Sequence, residues 1–183
     1  MAALAACDAG SAAAPRDAGS SRAGAAPRRA PAEAPVEAPV ALVGTVVAVH
    51  DGDTLSFRSG QARVRVRLAQ IDAPEQGQPW GRRARQALAR LAGRKVARLV
   101  VLDRDGYGRA VGDLWVDGVL VSEALVREGH AWAHPRYARS ASVLEAEADA
   151  RAARRGLWRL PAAEREPPWE WRRRHPRRDP ATP

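Results

Sequence analysis

Cysteine is nearly absent from the 183-residue chain, with Cys7 alone, which excludes a disulfide framework and a four-cysteine zinc site. One phenylalanine, two tyrosines and one methionine leave most of the aromatic mass to six tryptophans. No apolar run approaches the roughly 20 residues that a membrane-spanning helix needs. Acidic residues are outnumbered, 21 against 30 basic ones, giving a net charge of +9 and a pI near 11.2. An acidic solvating chain is therefore excluded, and polyanions become the first partners to consider. Lysine is scarce as well: Lys95 stands alone beside 29 arginines.

The excess charge is unevenly spread. Residues 1–40 are net 0, residues 41–160 net +7 and residues 161–183 net +2. The basic surplus thus belongs to the segment expected to fold. A solvated arginine surface with no ligand is the plain alternative.

Residues 1–40 are Ala, Pro, Gly, Ser and Arg with few large apolar side chains. Such a segment buries too little to offset its ordering entropy and reads as a disordered linker. Within it, Leu4-Ala5-Ala6-Cys7 resembles a bacterial lipobox, whose cysteine carries a lipid and would make residues 8–40 a tether. The charged and apolar stretches of a full export signal are not present before it. A chance match in an alanine-rich stretch is the alternative.

From Leu42 the pattern changes. Leu42–Val49 is β-rich, His50-Asp51-Gly52-Asp53 is a turn, and Thr54–Phe57 resumes the strand character. Arg63–Leu68 alternates, with Val64, Val66 and Leu68 on one face and Arg63, Arg65 and Arg67 on the other. Ile71 breaks that parity, so a bulge or strand end is expected near Ala69-Gln70. Pro79 opens a helical stretch with Ala84, Leu88 and Leu91 on one side and Gly93 as its stop. Val96–Leu102 and Ala110–Val116 read as strands, and Asp117-Gly118 as a hairpin turn. Ser122 is the expected cap of a helix ending at Gly129, and Ser142–Glu145 a capping box for another ending near Gly156. Leu157 and Trp158 are expected to fold back onto the core, while the Pro/Arg/Trp sequence after Pro161 shows no period and reads as a loose tail. Residues 41–160 therefore form an α+β domain: a five-stranded β-barrel with about three packed helices.

Two acidic loops carry the chemistry: Asp51-Gly52-Asp53-Thr54 and Asp72-Ala73-Pro74-Glu75. Alone, each is an ordinary turn sequence. Together they gather hard carboxylate oxygens without His or Cys, a donor set that suits Ca²⁺ or Mg²⁺ rather than zinc. Arg67 lies five residues before Asp72, and Arg109 follows a glycine-flanked tyrosine at another turn. Carboxylates for a metal and a base, with two arginines for phosphate, are the equipment of phosphodiester hydrolysis.

Residues 43–158 resemble the staphylococcal nuclease (thermonuclease) family. The resemblance is carried by Val49-His50-Asp51-Gly52-Asp53-Thr54, Arg67-Leu68-Ala69-Gln70-Ile71-Asp72-Ala73-Pro74-Glu75, Asp105-Gly106-Tyr107-Gly108-Arg109, Ser122–Gly129 and Gly156-Leu157-Trp158. It implies an OB-fold barrel with three helices. It further implies a Ca²⁺-dependent, sequence-nonspecific nuclease acting on DNA and RNA, with single strands preferred and 3′-phosphate ends left behind. Asp53 and Asp72 match the metal carboxylates, and Ala73 stands where a backbone carbonyl ligates the metal. Glu75 matches the residue proposed to activate or orient the attacking water, and Arg67 and Arg109 the two phosphate-binding arginines. Tyr107 matches a residue near a nucleotide phosphate.

Three features depart from the founding member. The stretch Gln76–Trp80 is shorter, Gly106 stands in place of a lysine, and a base-stacking aromatic is displaced, with Tyr137 or Trp132 as its substitute. His130 and His134, four apart, lack the Glu of a zinc-protease helix and read as surface or groove residues. Trp169 and Trp171 beside Arg172-Arg173-Arg174 suggest a clamp on single strands, against a merely solvated tail. A monomer without an obligate protein partner, located outside the cell or in its envelope, is expected. The other functional class is a noncatalytic OB-fold module that binds nucleic acid.

Overall fold

The computed structural model of the chain describes residues 40–176. The linker, Cys7 and the end of the basic tail lie outside the described residues.

Five strands close into a barrel: β1 (Val40–Val49), β2 (Thr54–Ser59), β3 (Ala62–Leu68), β5 (Val96–Arg104) and β6 (Ala110–Val116). Neighbours are antiparallel except β3 and β6, whose parallel pairing of Val66–Leu68 with Ala110–Gly112 shuts the cylinder. Alternation along β3 and β6 explains the closure. Val66, Leu68, Ala110, Leu114 and Val116 are buried, so each strand turns one face to a shared interior. Phe57, the sole phenylalanine, fills that interior with Leu55, Leu99 and Val46, all fully buried. The barrel thus matches the α+β OB-type architecture expected.

The parity break after β3 is a strand end: Gln70 adopts φ 70°, and the two-residue β4 (Ile71–Asp72) leaves the barrel to pair with β8 (Trp132–Ala133). Asp117 and Gly118, at φ 51° and 78°, turn β6 into β7 (Val119–Leu120); two consecutive positive φ values are what a tight right-twisted hairpin demands.

Three helices pack around the barrel. α1 (Gly81–Ala92) buries Ala84, Leu88 and Ala92, and Gly93 closes it by donating its N–H to the Ala89 carbonyl at 2.9 Å. α2 (Val121–Arg127) starts directly from β7, with Leu120 at its cap position. Ser122 therefore lies inside the helix, not at the expected cap, and its hydroxyl is buried. α3 (Ala141–Ala152) begins two residues earlier than the expected capping box, with Ser140 at the cap position. Leu157 and Trp158 do fold back, joining Trp132 and Ala150 in a second small apolar cluster.

The expected loose tail is instead structured as far as His175. Pro168 opens a fourth helix, α4 (Pro168–Arg174), with Glu170 in its first turn and three arginines in its last. That charge order matches the helix dipole, and proline at the first helical position is pre-organised for it.

Candidate active site

The carboxylates are positioned by the two loops at one end of the barrel. In the β1–β2 turn, Asp51 accepts the Asp53 N–H at 3.0 Å, an Asx turn that aims Asp53 inward. The Asp53 carbonyl accepts the Leu68 N–H at 2.8 Å, tying this turn to the end of β3. Asp72 arrives from β4, opposite Trp132 of β8. β8 is itself anchored by α3, because Glu147 accepts the Ala133 N–H at 3.0 Å. Burial pushes the Glu147 carboxyl above its ordinary range, against the pull of Arg151 and that N–H.

Arg67, paired with Thr54 across β2–β3, bridges the two loops. One terminal nitrogen donates to Asp53 Oδ1 and the other to Asp72 Oδ1, each at 2.9 Å. Only the planar two-nitrogen fork of arginine can make both bonds. Asp53 also accepts Thr54 Oγ1–H at 3.0 Å and the Ala73 N–H at 2.9 Å. Burial nevertheless pushes its pKa up to about 7, opposed by Arg67 and aided by Asp51 and Asp72. Burial disfavours the charge on the Arg67 guanidinium, but Asp53 and Asp72 outweigh it and raise its pKa above the ordinary value.

Glu75 follows on the Asp72 loop. Gln78, buried, accepts the Glu75 N–H at 3.0 Å and returns its own N–H to the Glu75 carbonyl at 2.9 Å. Gly81 passes so close that a Cβ there would lie 1.9 Å from the Glu75 carbonyl oxygen. Gln78 and Gly81 were not singled out in the sequence, although a glycine at a helix start behind a catalytic loop was a visible cue.

Arg109 approaches from the β5–β6 turn. Asp105 organises it, accepting the Tyr107 and Arg109 N–H groups at 3.0 Å each and Arg109 Nε–H at 2.6 Å. Those bonds hold the Asp105 carboxyl below its ordinary range even though burial opposes them. Arg67, Tyr107, Arg109, His134 and Tyr137 line one cavity of about 830 Å³. Arg139, Asp103 and Asp105 also line it, and Tyr107 is 89 % exposed. Arg67 touches both the Asp53 and Asp72 carboxylates and the cavity.

The structure separates the two aromatic candidates. Tyr137 is exposed beside His134, at 4.5 Å between rings. Trp132 is 4 % exposed and meets Trp158 edge-on at 5.4 Å, so it belongs to the packing and is withdrawn as a base-stacking residue. His130 accepts a hydrogen bond from Trp80 Nε1 at 3.0 Å, a structural contact. Trp169 packs against the small apolar cluster, and Trp171 stacks on His175 at 3.9 Å, so neither is presented as an open clamp.

Arg172, expected from the sequence in a tail that clamps single strands, instead faces the carboxylates. Its guanidinium donates to both Asp72 oxygens, at 3.1 and 2.6 Å, and to Glu75 Oε1 at 2.9 Å. These bonds hold it firmly in the charged form. Neither the helix Pro168–Arg174 nor its docking partners about 100 residues away was legible in the sequence.

Donor chemistry fits a hard divalent cation. Asp53, Asp72 and Glu75 offer oxygen only, and the Asp72–Glu75 edge already binds a cationic group. Among the described residues no three His, Cys, Asp or Glu side chains stand as a ready-made cage; the carboxylates are arranged about two guanidinium groups instead. At Ala73 the contact observed is its N–H to Asp53.

A closed five-stranded barrel with an acidic, arginine-bridged end defines an OB-type α+β domain. Residues 65–160 match the family model described as staphylococcal nuclease homologue. The chain is 43 % identical over 143 residues to Protein ParB of Escherichia coli, covering 72 % of this chain and 80 % of that one. It is 40 % identical over 141 residues to a micrococcal nuclease of Shigella flexneri, covering 71 % and 80 %. A probable staphylococcal-like nuclease of Oryza sativa subsp. japonica shares 40 % identity over 111 residues, 61 % of this chain but 33 % of its own length. The chain belongs to the staphylococcal nuclease family.

Proposed function

We propose that this protein is a Ca²⁺-dependent nuclease that hydrolyses phosphodiester bonds of DNA and RNA without sequence preference, favouring single strands and leaving 3′-phosphate ends. The nuclease class rests on family membership and on relatives named micrococcal nuclease and endonuclease. The single observation that carries the chemistry is the Asp53–Arg67–Asp72 bridge, with Glu75 beside it and an arginine-lined cavity on its outer side.

Asp53, Asp72 and the Ala73 carbonyl would hold the Ca²⁺ ion. When bound, the ion supplies Lewis-acid polarisation of the phosphate. The Arg67 and Arg109 forks bind nonbridging oxygens and stay charged at any working pH. Asp105 fixes Arg109 through Nε, which turns its terminal nitrogens to phosphate. Glu75 takes the proton of, or orients, the attacking water. The bond to the 5′ oxygen breaks, and that oxygen departs with a proton. Tyr107 and Tyr137 give the nucleotide aromatic surface. A location outside the cell or in its envelope suits a Ca²⁺ requirement.

A binding module has no use for Glu75, whose charge would repel phosphate. Glu75→Gln in the purified full chain tests the reading. Cleavage should fall about 10²–10⁴-fold with nucleic-acid binding retained; turnover at the wild-type rate would refute the assignment.

A further inference from the structure

The last helix among the described residues, α4, places Arg172 in the candidate active site. Arg172 caps both oxygens of fully buried Asp72 and reaches Glu75, two of the acids assigned above to the metal and to water. Among the described residues, Asp53, Asp72 and Glu75 are thus bridged by the guanidinium groups of Arg67 and Arg172. A divalent ion engaging Asp72 would meet Arg172 on the same oxygens. Asp72 Oδ1 already serves Arg67 and Arg172 together, and Arg172 also holds Oδ2. A divalent ion would add a third positive group to one carboxylate, and its repulsion with Arg172 favours displacing the guanidinium.

We propose that α4 is an autoinhibitory latch: Arg172 acts as an internal cation that must leave Asp72 and Glu75 before Ca²⁺ binds there. This rests on the calcium reading of the site. The fastening of the helix is of the kind that opens. α4 spans seven residues, and Pro168 is its one buried residue, against five in α1. Its apolar anchor is Trp169, set on the cluster of Trp132, Leu157 and Trp158 and 5.7 Å from the His134 ring. A further polar tie reaches the segment just before the helix, Gln78 donating to the Glu166 carbonyl, while Arg174 pairs with Glu166 inside the segment itself. The Arg172 side chain is 40 % exposed, so water and salt reach the contact. Elements with few buried apolar contacts and exposed ion pairs open well below the global unfolding free energy.

The Gln78 bond gives the latch a second consequence. Gln78 holds the Glu75 N–H with its carbonyl oxygen and the C-terminal segment with its amide. Docking of α4 therefore fixes the Glu75 loop from two sides, and release frees both together.

The test is Ca²⁺ binding by calorimetry to the full chain, to Arg172→Ala and to Trp169→Ala, with hydrogen exchange of the α4 amides followed alongside. A latch shut nine-tenths of the time weakens apparent affinity about tenfold. Arg172→Ala should then bind Ca²⁺ about tenfold more tightly. Trp169→Ala, which touches no carboxylate, should move the same way, and saturating Ca²⁺ should speed exchange across α4 in the full chain. Equal affinities in all three chains, or α4 exchange unmoved by saturating Ca²⁺, overturn the latch and leave the calcium site standing. Ca²⁺ bound by none of the three overturns the calcium site itself, and the latch with it.

Discussion

Replacing Arg67 by alanine should damage stability and catalysis by separable amounts. The Asp53 and Asp72 side chains it bridges are 6 % and 0 % exposed, and Arg67 itself 21 %. Removing one partner from buried charges costs about 3–5 kcal/mol, because the others stay desolvated and unpaired. Arg172 still covers Asp72, and Thr54 and the Ala73 N–H still serve Asp53, so the loss should sit near the lower end. Arg67→Lys keeps the charge but its single nitrogen cannot span both carboxylates. It should lose one charge-assisted hydrogen bond, about 1.5–3 kcal/mol. Urea unfolding followed by tryptophan fluorescence, with Ca²⁺ chelated, measures both; the midpoint should move and the slope should not. In Ca²⁺, kcat should fall about 10²–10³-fold for the alanine variant, as for loss of one transition-state donor. An alanine variant within about 0.5 kcal/mol of wild type would refute the view that Arg67 holds this end of the barrel together.

Arg109→Ala should lower kcat by a similar 10²–10³-fold, roughly. Its melting temperature should fall only modestly, because its pair with Asp105 is partly exposed and Asp105 keeps its bonds to the Tyr107 and residue-109 N–H groups; an unfolded variant would contradict this. Gly81→Ala gains about 1 kcal/mol of helix propensity, yet its Cβ would stand 1.9 Å from the Glu75 carbonyl oxygen. The clash should win, lowering both urea midpoint and kcat, and a stabilised, active variant would show that the loop yields. Tyr137→Ala should raise KM for single-stranded DNA with stability intact. Trp132→Ala should instead cost about 3–5 kcal/mol of stability, and the reverse pattern would restore Trp132 to the substrate surface.

Much of this fold was legible because its strands obey a two-residue period. Val64, Val66 and Leu68 announced the inner face of β3, and the break at Ile71 announced a bulge or strand end, but not the pairing of β4 with β8. The acidic loops were legible by residue type and spacing. Helix starts were misplaced because β7 runs straight into α2, leaving Ser122 no cap to make. Trp132 misled because a tryptophan among His, Pro and Arg looks superficial, while its pairing with Asp72 and its packing on Trp158 are set by distant residues. α4 escaped because seven residues rich in Trp and Arg show no apolar period. Its place is decided by charges on Asp72 and Glu75, which no local pattern encodes.

The most direct measurement is degradation of single- and double-stranded DNA by the full chain in Ca²⁺, in Mg²⁺ and in chelator, with Glu75→Gln beside it. Cleavage that requires Ca²⁺, is faster on single strands and disappears with Glu75 is the expected result. Tight, salt-sensitive DNA binding with no cleavage in any metal would contradict it, leaving a basic OB-fold module whose carboxylates serve only to order its turns.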